Sequence, residues 1–366
     1  MHLALYRRFR PKTFDEVIGQ DHIVKALRNQ VATGKIGHAY LFCGTRGTGK
    51  TSCAKIFSKA INCLTPVNGS PCGECEACKA LLDPSNVDIL EIDAASNNGV
   101  DEIRALREKI KYPPINVKYK VYIIDEVHML TDSAFNALLK TLEEPPSHAV
   151  FILATTEPYK LPQTILSRCA RFDFRLVSKD VLEERLRMVF KEIGVKCDDA
   201  SLEMIAISGE GSVRDCLSVA DCVVSFSDGE ITIDKTLEML GTSDKTSVIE
   251  LCDKILSKDI GGVLECIDSI VKSGKNMINL GKEMAVHFKD LLVIKTCTNY
   301  QKILSLPENN LSKMERQSAS ASVEDLINFM QKFSEIENDL KYALSPRTLI
   351  ELCSLECASI GNAKKN

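Results

Sequence analysis

The chain has 366 residues, 45% of them hydrophobic, with 46 Lys and Arg against 50 Asp and Glu for a net charge of −4. That length predicts two or three domains, and the near balance of charge excludes a globally basic nucleic-acid binder, so any DNA contact must be local. No apolar stretch is long enough to span a bilayer, and the start (Tyr6-Arg7-Arg8-Phe9-Arg10-Pro11) lacks the apolar core of a signal peptide, so a soluble cytoplasmic protein without a membrane partner is expected.

The first strong element is Ala39-Tyr40-Leu41-Phe42-Cys43, a short apolar run that predicts a buried strand. It leads into Gly44-Thr45-Arg46-Gly47-Thr48-Gly49-Lys50-Thr51 and then a helical run from Ser52 to Ile61. Glycines at 44, 47 and 49 let the backbone turn so that successive N–H groups and the helix N-terminus cradle phosphate oxygens. In this Walker A pattern Lys50 reaches the β and γ phosphates and the Thr51 hydroxyl meets Mg²⁺. A chance glycine-rich turn is the bland alternative, and the strand–loop–helix setting argues against it.

Fifteen cysteines follow two patterns. Most are single and set in apolar runs, as at Cys216, Cys222, Cys266 and Cys353, and read as reduced core residues. Cys63, Cys72, Cys75 and Cys78 instead share a segment of turn formers, Pro66, Asn68, Gly69, Pro71 and Gly73. Four thiolates there suit a structural, tetrahedral Zn²⁺. An iron–sulfur cluster is the alternative, although its usual continuation is missing after Cys78, and four protein ligands leave a catalytic zinc no open position.

Val87 to Ile92 reads as an apolar run broken by acids, and Val100 to Ile110 as an amphipathic helix preceded by Asn97-Asn98-Gly99. Val121-Tyr122-Ile123-Ile124 predicts a strand ending in Asp125-Glu126-Val127-His128, a Walker B pattern: Asp125 for Mg²⁺ through water, Glu126 to orient and polarise the attacking water. Thr131 to Ser133 precedes a helical stripe (Phe135, Leu138, Leu139, Leu142) that Pro145-Pro146 ends. Val150 to Ala154 predicts another buried strand, ending in Thr155-Thr156, where a hydroxyl can sense the γ-phosphate or be an ordinary strand residue. Strands alternating with helices predict a mainly parallel sheet covered on both faces, with ligands at the strands' carboxyl ends. From Lys179 onward no buried strand is expected. Helices are predicted at Val181 to Ile193, Ser201 to Ser208 and Ser212 to Phe226, and again from about Thr246, with breaks at Ser227-Asp228-Gly229 and Gly241-Thr242-Ser243 and a frayed end at Gly361 to Asn366.

Tyr6 to Gln20, the P-loop, the four-cysteine insertion, Asp125-Glu126-Val127-His128, Ala154-Thr155-Thr156-Glu157-Pro158 and Ser167-Arg168-Cys169, in this order, resemble the gamma/tau subunits of the bacterial DNA polymerase III clamp loader, an AAA+ ATPase family. The match is by motif as far as the lid and by position only over the helical remainder.

The resemblance implies a RecA-like α/β AAA+ domain with parallel sheet and zinc module (residues 1–178, cysteines within 63–78), a helical lid (179–242) and an all-α collar that oligomerises (243–366). It implies that Arg168 acts in trans as an arginine finger in a neighbour's ATP site, that Arg214 in Gly211-Ser212-Val213-Arg214-Asp215 is the sensor 2 arginine, and that Thr156 is sensor 1. By resemblance ATP and Mg²⁺ are held by Gly44, Thr45, Gly47, Thr48, Gly49, Lys50, Thr51, Ser52, Asp125 and Arg214. The adenine pocket is expected from Tyr6, Arg7, Pro11, Val17 and Ile18, residues that equally could anchor the terminus to the sheet. Implied partners are delta and delta-prime subunits, further copies of this chain, the ring-shaped sliding clamp and primer–template DNA, in the cytoplasm at replication forks. DNA contact would fall to helix N-termini such as Asn97-Asn98-Gly99 and Thr131 to Ser133, which also read as plain caps. Two alternatives are an AAA+ branch-migration motor and a non-hydrolysing delta-prime-like arm, whose P-loop is typically damaged.

Overall fold

A computed structural model describes residues 3–83, 86–227, 229–240, 245–300, 304 and 308–359. Asp228, Gly241-Thr242-Ser243 and Gly361 to Asn366 lie outside the described residues. The chain divides into two compact units, Met1–Met239 and Leu240–Asn366. Among the described residues no helix is long and apolar enough to cross a membrane.

The first unit begins with α1 (Leu5–Arg8), α2 (Asp21–Thr33), β1 (Ala39–Cys43), α3 (Lys50–Ala60) and α4 (Glu76–Ala80). There follow β2 (Ile89–Asp93), α5 (Val100–Ile110), β3 (Lys120–Asp125), α6 (Asp132–Glu143), β4 (Ala149–Thr155), α7 (Gln163–Leu166) and β5 (Ala170–Asp173). The strands form one parallel sheet in the order β2-β3-β4-β1-β5. Along β3, Tyr122 and Ile124 enter a core with Leu106 and Phe135, while Val121 and Ile123 enter the opposite core with Leu27 and Phe57. Both faces are therefore apolar, which is why the central strands read as unbroken hydrophobic runs. Pairing sets Cys43 beside Thr155, and Asp93 beside Asp125. The loops after β1, β3 and β4 thus open at one edge of the sheet.

The rest of this unit is α8 (Lys179–Ile193), β6 (Lys196–Cys197), α9 (Asp199–Ser208), α10 (Val213–Phe226), β7 (Glu230–Ile231) and α11 (Ile233–Leu240). The short parallel pair β6-β7 was not anticipated, and of its four residues only Ile231 is fully buried. Two residues are too few to carry an alternation signal. Leu5 and Phe9 pack with Leu182, Leu186 and Leu217, so the start of the chain belongs to the core of the helical lid.

The second unit is helical: α12 (Lys245–Leu256), α13 (Ile260–Lys272), α14 (Met277–Thr296), α15 (Glu308–Ser320), α16 (Val323–Tyr342) and α17 (Pro346–Ser359). Ile255, Ile267, Met284, Phe288, Phe333 and Ile350 form its core. Within it Gln317 bonds His287 at 2.8 Å, the Ile249 carbonyl at 2.8 Å and Asp253 at 2.7 Å, joining α15 to α14 and α12 through buried polar groups.

Candidate nucleotide and metal sites

The phosphate loop turns as its glycines require. Gly47 has φ +78°, and a Cβ there would meet Ser212 Oγ at 1.9 Å, so both backbone and space exclude a side chain. Thr48 Oγ1 donates to the Thr45 carbonyl at 2.8 Å, and Lys50 Nζ donates to the Gly44 and Thr45 carbonyls at 2.8 and 2.9 Å. Buried Gln20 ties the loop to the sheet edge through Thr48 O and both backbone groups of Arg175. Burial pulls the Lys50 ammonium below the usual lysine range, with Glu126 and Asp125 opposing that shift.

Thr51 Oγ1 donates to Asp125 Oδ2 at 2.7 Å. This hydroxyl and carboxylate, at the ends of α3 and β3, are the hard oxygen donors that Mg²⁺ takes beside phosphates. Glu126 sits in the left-handed region at φ 47°. Its Oε2 accepts from Thr156 N at 3.1 Å and Thr156 Oγ1 at 3.0 Å. Thr156 thus reaches the site through Glu126.

A cleft of about 1040 Å³ joins these groups, lined also by Tyr6, Arg7, Pro11, Val17, Ile18 and Arg214. Gly47, Thr48, Gly49 and Ser52 line it too. Arg214 lies with its guanidinium 5.2 Å from the centre of the Tyr6 ring, a cation–π contact between the two residues expected for phosphate and adenine. The hydrogen bond from Arg7 Nε, 3.1 Å, holds the Tyr6 hydroxyl below its ordinary pKa. Arg168 does not line the cleft. Its guanidinium bonds Glu143 at 2.7 Å and the Thr164 carbonyl at 2.8 Å. Of the helix-start candidates, Thr131 caps α6 by accepting from Ala134 N at 3.3 Å, and the Asn98 carbonyl accepts from Thr131 N at 3.2 Å.

Several residues of the cleft escaped the sequence reading. Arg10 donates to Ser52 Oγ at 3.2 Å, linking the first segment to the helix after the P-loop. Arg185, 8% exposed, donates to the Phe9 carbonyl at 2.9 Å and so holds that segment to α8. Only an arginine inside an otherwise apolar helical stripe hinted at it. Arg185→Ala is expected to lower the unfolding free energy by about 1 to 3 kcal/mol, read from chemical denaturation, because the Phe9 carbonyl loses its buried donor.

The four cysteines form a second site, with Cys63 just past α3, Cys72 and Cys75 in the loop and Cys78 in α4. Cys63 and Cys75 Sγ lie 3.9 Å apart, as do Cys72 and Cys78, and all four sulfurs fall within 4.8 Å of one another. Zn–S bonds of about 2.3 Å place tetrahedral ligand sulfurs about 3.8 Å apart, so the set fits one zinc ion and is too tight for a cluster with a separate iron per cysteine. Backbone N–H groups of Cys72, Cys75 and Cys78 donate to the sulfurs of Cys63, Cys72 and Cys75 at 3.3 to 3.4 Å. Hydrogen bonds from the Thr65 side chain and the Cys75 and Glu74 amides draw the Cys72 thiol down to about 6, whereas burial pushes Cys78 up to about 12.

Residues 19–178 match the family model described as DNA polymerase III, delta subunit. Residues 181–229 match the clamp loader subunit ATPase lid domain, and 231–363 match domain III of subunits gamma and tau. The chain is 42% identical to DNA polymerase III subunit tau of Bacillus subtilis, over 95% of this chain and 62% of that protein. It is 37% identical to DNA polymerase III subunit gamma of Buchnera aphidicola, over 87% of this chain and 89% of that one. The chain therefore spans about three fifths of the length of the longer relatives it matches. The structure of a RuvB point mutant from Thermotoga maritima has TM-score 0.50 at 18% identity, covering 85% of this chain and 90% of that one, a likeness of fold alone. Sequence relationship over nearly the whole of the Buchnera protein decides the matter: this chain belongs to the family of gamma/tau subunits of bacterial DNA polymerase III.

Proposed function

We propose that the chain is an ATP-hydrolysing motor subunit of the DNA polymerase III clamp loader, which opens the sliding clamp and loads it onto primed DNA. The observation that carries this reading is the bond from P-loop Thr51 to Asp125 at the mouth of a cleft that also holds Lys50 and Glu126. In this reading the loop amides and Lys50 bind the phosphates of ATP, and Glu126 orients the attacking water and accepts its proton. Mg²⁺, held by Thr51 and Asp125, supplies charge neutralisation on the phosphate oxygens. Tyr6, Arg7, Pro11, Val17 and Ile18 enclose the base, and Arg214 reaches the phosphates from the lid.

Arg168, bonded to Glu143 outside its own cleft, serves the ATP site of a neighbouring subunit as an arginine finger. Zinc in the cysteine cluster is structural. The partners are delta and delta-prime subunits, further copies of the chain, the clamp and primer–template DNA, at replication forks in the cytoplasm. ATP binding favours the assembly that grips an open clamp, and hydrolysis releases it by shifting the population between assemblies. The fold likeness to a branch-migration motor brings no site residue with it, and an intact P-loop argues against a non-hydrolysing arm.

Lys50→Ala tests the reading. ATP affinity of the purified chain, measured by calorimetric titration, is expected to fall at least about 10²-fold, since a charge-assisted phosphate contact is lost from a buried site. Unchanged affinity, or no ATP binding by the wild-type chain, would remove the cleft as a nucleotide site.

A further inference from the structure

His128 follows the Walker B pair and has no role in the proposed chemistry so far. Its side chain is only 7% exposed, although it lies in the short turn after β3. The Nε2 atom sits 3.0 Å from Glu157 Oε2, and Nδ1 sits 3.0 Å from Thr155 Oγ1. Nδ1 is also 3.4 Å from Glu126 Oε2.

The Glu157 carboxylate settles one of the two ring hydrogens. An ionised carboxylate only accepts, so Nε2 must carry the hydrogen shared with Glu157. Hydrogen bonds from Tyr159 and Lys160 hold the Glu157 carboxyl below the usual carboxylate range, which keeps it an acceptor. The Thr155 hydroxyl accepts from Glu157 N at 3.0 Å and keeps both a hydrogen and a lone pair with which to bond Nδ1. One imidazole therefore grips residues 155 and 157, the two neighbours of Thr156. Thr156 in turn presents its amide and hydroxyl to Glu126 Oε2.

We infer that His128 is a positioning residue for hydrolysis: by clamping Thr155 and Glu157 to the Walker B turn it fixes Thr156, and through Thr156 the orientation of the Glu126 carboxylate. The left-handed backbone of Glu126 is consistent with a side chain whose aim is set by its surroundings, since such a conformation persists only where neighbours enforce it. His128 does not line the cleft, so it acts on turnover without touching nucleotide.

The inference rests on the ATPase reading, and the experiment separates the two. ATP affinity of the full chain and steady-state hydrolysis by the assembly reconstituted with the other loader subunits are measured for the wild type, Lys50→Ala, His128→Ala and His128→Gln. His128→Ala is expected to lower kcat by about 10²-fold with KM and ATP affinity within about twofold, the cost of misplacing a reacting group by about 1 Å. His128→Gln, whose amide can reproduce the Nε2 donor to Glu157, is expected to recover at least about tenfold of that loss, since the charge-assisted bond is the stronger of the two clamps. Melting temperatures of both variants report whether the fold survives. Hydrolysis by His128→Ala at the wild-type rate, a raised KM with kcat unchanged, or equal losses in the alanine and glutamine variants would overturn the inference while leaving the ATPase reading intact. Absence of hydrolysis in the wild-type assembly, equal to Lys50→Ala, would sink both.

Discussion

Arg168→Ala is expected to leave ATP binding by the chain unchanged and to lower hydrolysis by the reconstituted clamp loader about 10³-fold or more. The expectation comes from where the guanidinium lies. It is paired with Glu143 at 2.7 Å, the two side chains being 33% and 48% exposed. An exposed pair of this kind contributes at most about 1 kcal/mol, so it orients Arg168 in its own subunit yet releases it readily to a phosphate with higher charge. Loss of the side chain should therefore shift the melting temperature little. As the proposed finger, Arg168 would contribute only as charge develops on the transferring phosphoryl group of a neighbouring subunit's nucleotide. Single-turnover hydrolysis in the assembly is the decisive measurement, with calorimetric ATP titration of the isolated chain beside it. Arg168→Lys should recover little, because a point charge does not reproduce the planar fork. Hydrolysis that survives Arg168→Ala would take this residue out of the site.

Chelation of the zinc proposed for the cysteine cluster is the second perturbation with a large expected effect. The purified chain is expected to carry about one zinc, and chelation should expose four titratable thiols and lower the melting temperature by at least about 4 °C. The segment has little core of its own, and its links run into structure that matters elsewhere. Ser70 Oγ accepts from Phe14 N at 3.0 Å, and Phe14, 1% exposed, lies just before the cleft-lining Glu16, Val17 and Ile18. Asn62 brackets Tyr119, accepting from its amide at 2.7 Å and donating to its carbonyl at 3.0 Å. Cys72→Ser should reproduce the thermal loss without a chelator. Less than about half an equivalent of zinc after gentle purification, or an unchanged melting temperature after complete removal, would rule out a structural ion.

The central strands were legible because a sheet buried on both faces writes itself as continuous apolar runs, and the P-loop because its glycines and lysine have few other uses. β5 was not: Ala170–Asp173 is largely exposed and exists through its pairing with β1, a partner far away in sequence. The packing of Leu5 and Phe9 into the lid was hidden for the same reason, and so was Arg185, whose acceptor is the Phe9 carbonyl. The cysteine cluster was readable since its spacing and its turn residues agree. The partnership of Glu126 with Thr156 and His128 was not, because it joins the ends of two different strands.

The carbonyl of Gly47 accepts from Val213 N at 3.1 Å, so the first turn of a lid helix is fastened to the middle of the phosphate loop. Loop and lid are thereby joined backbone to backbone, so a change in the shape of the loop at Gly47 bears directly on the first turn of the lid helix. The hydrogen at position 47 is the clearance that lets the two lie so close, since a Cβ there would meet Ser212 Oγ at 1.9 Å.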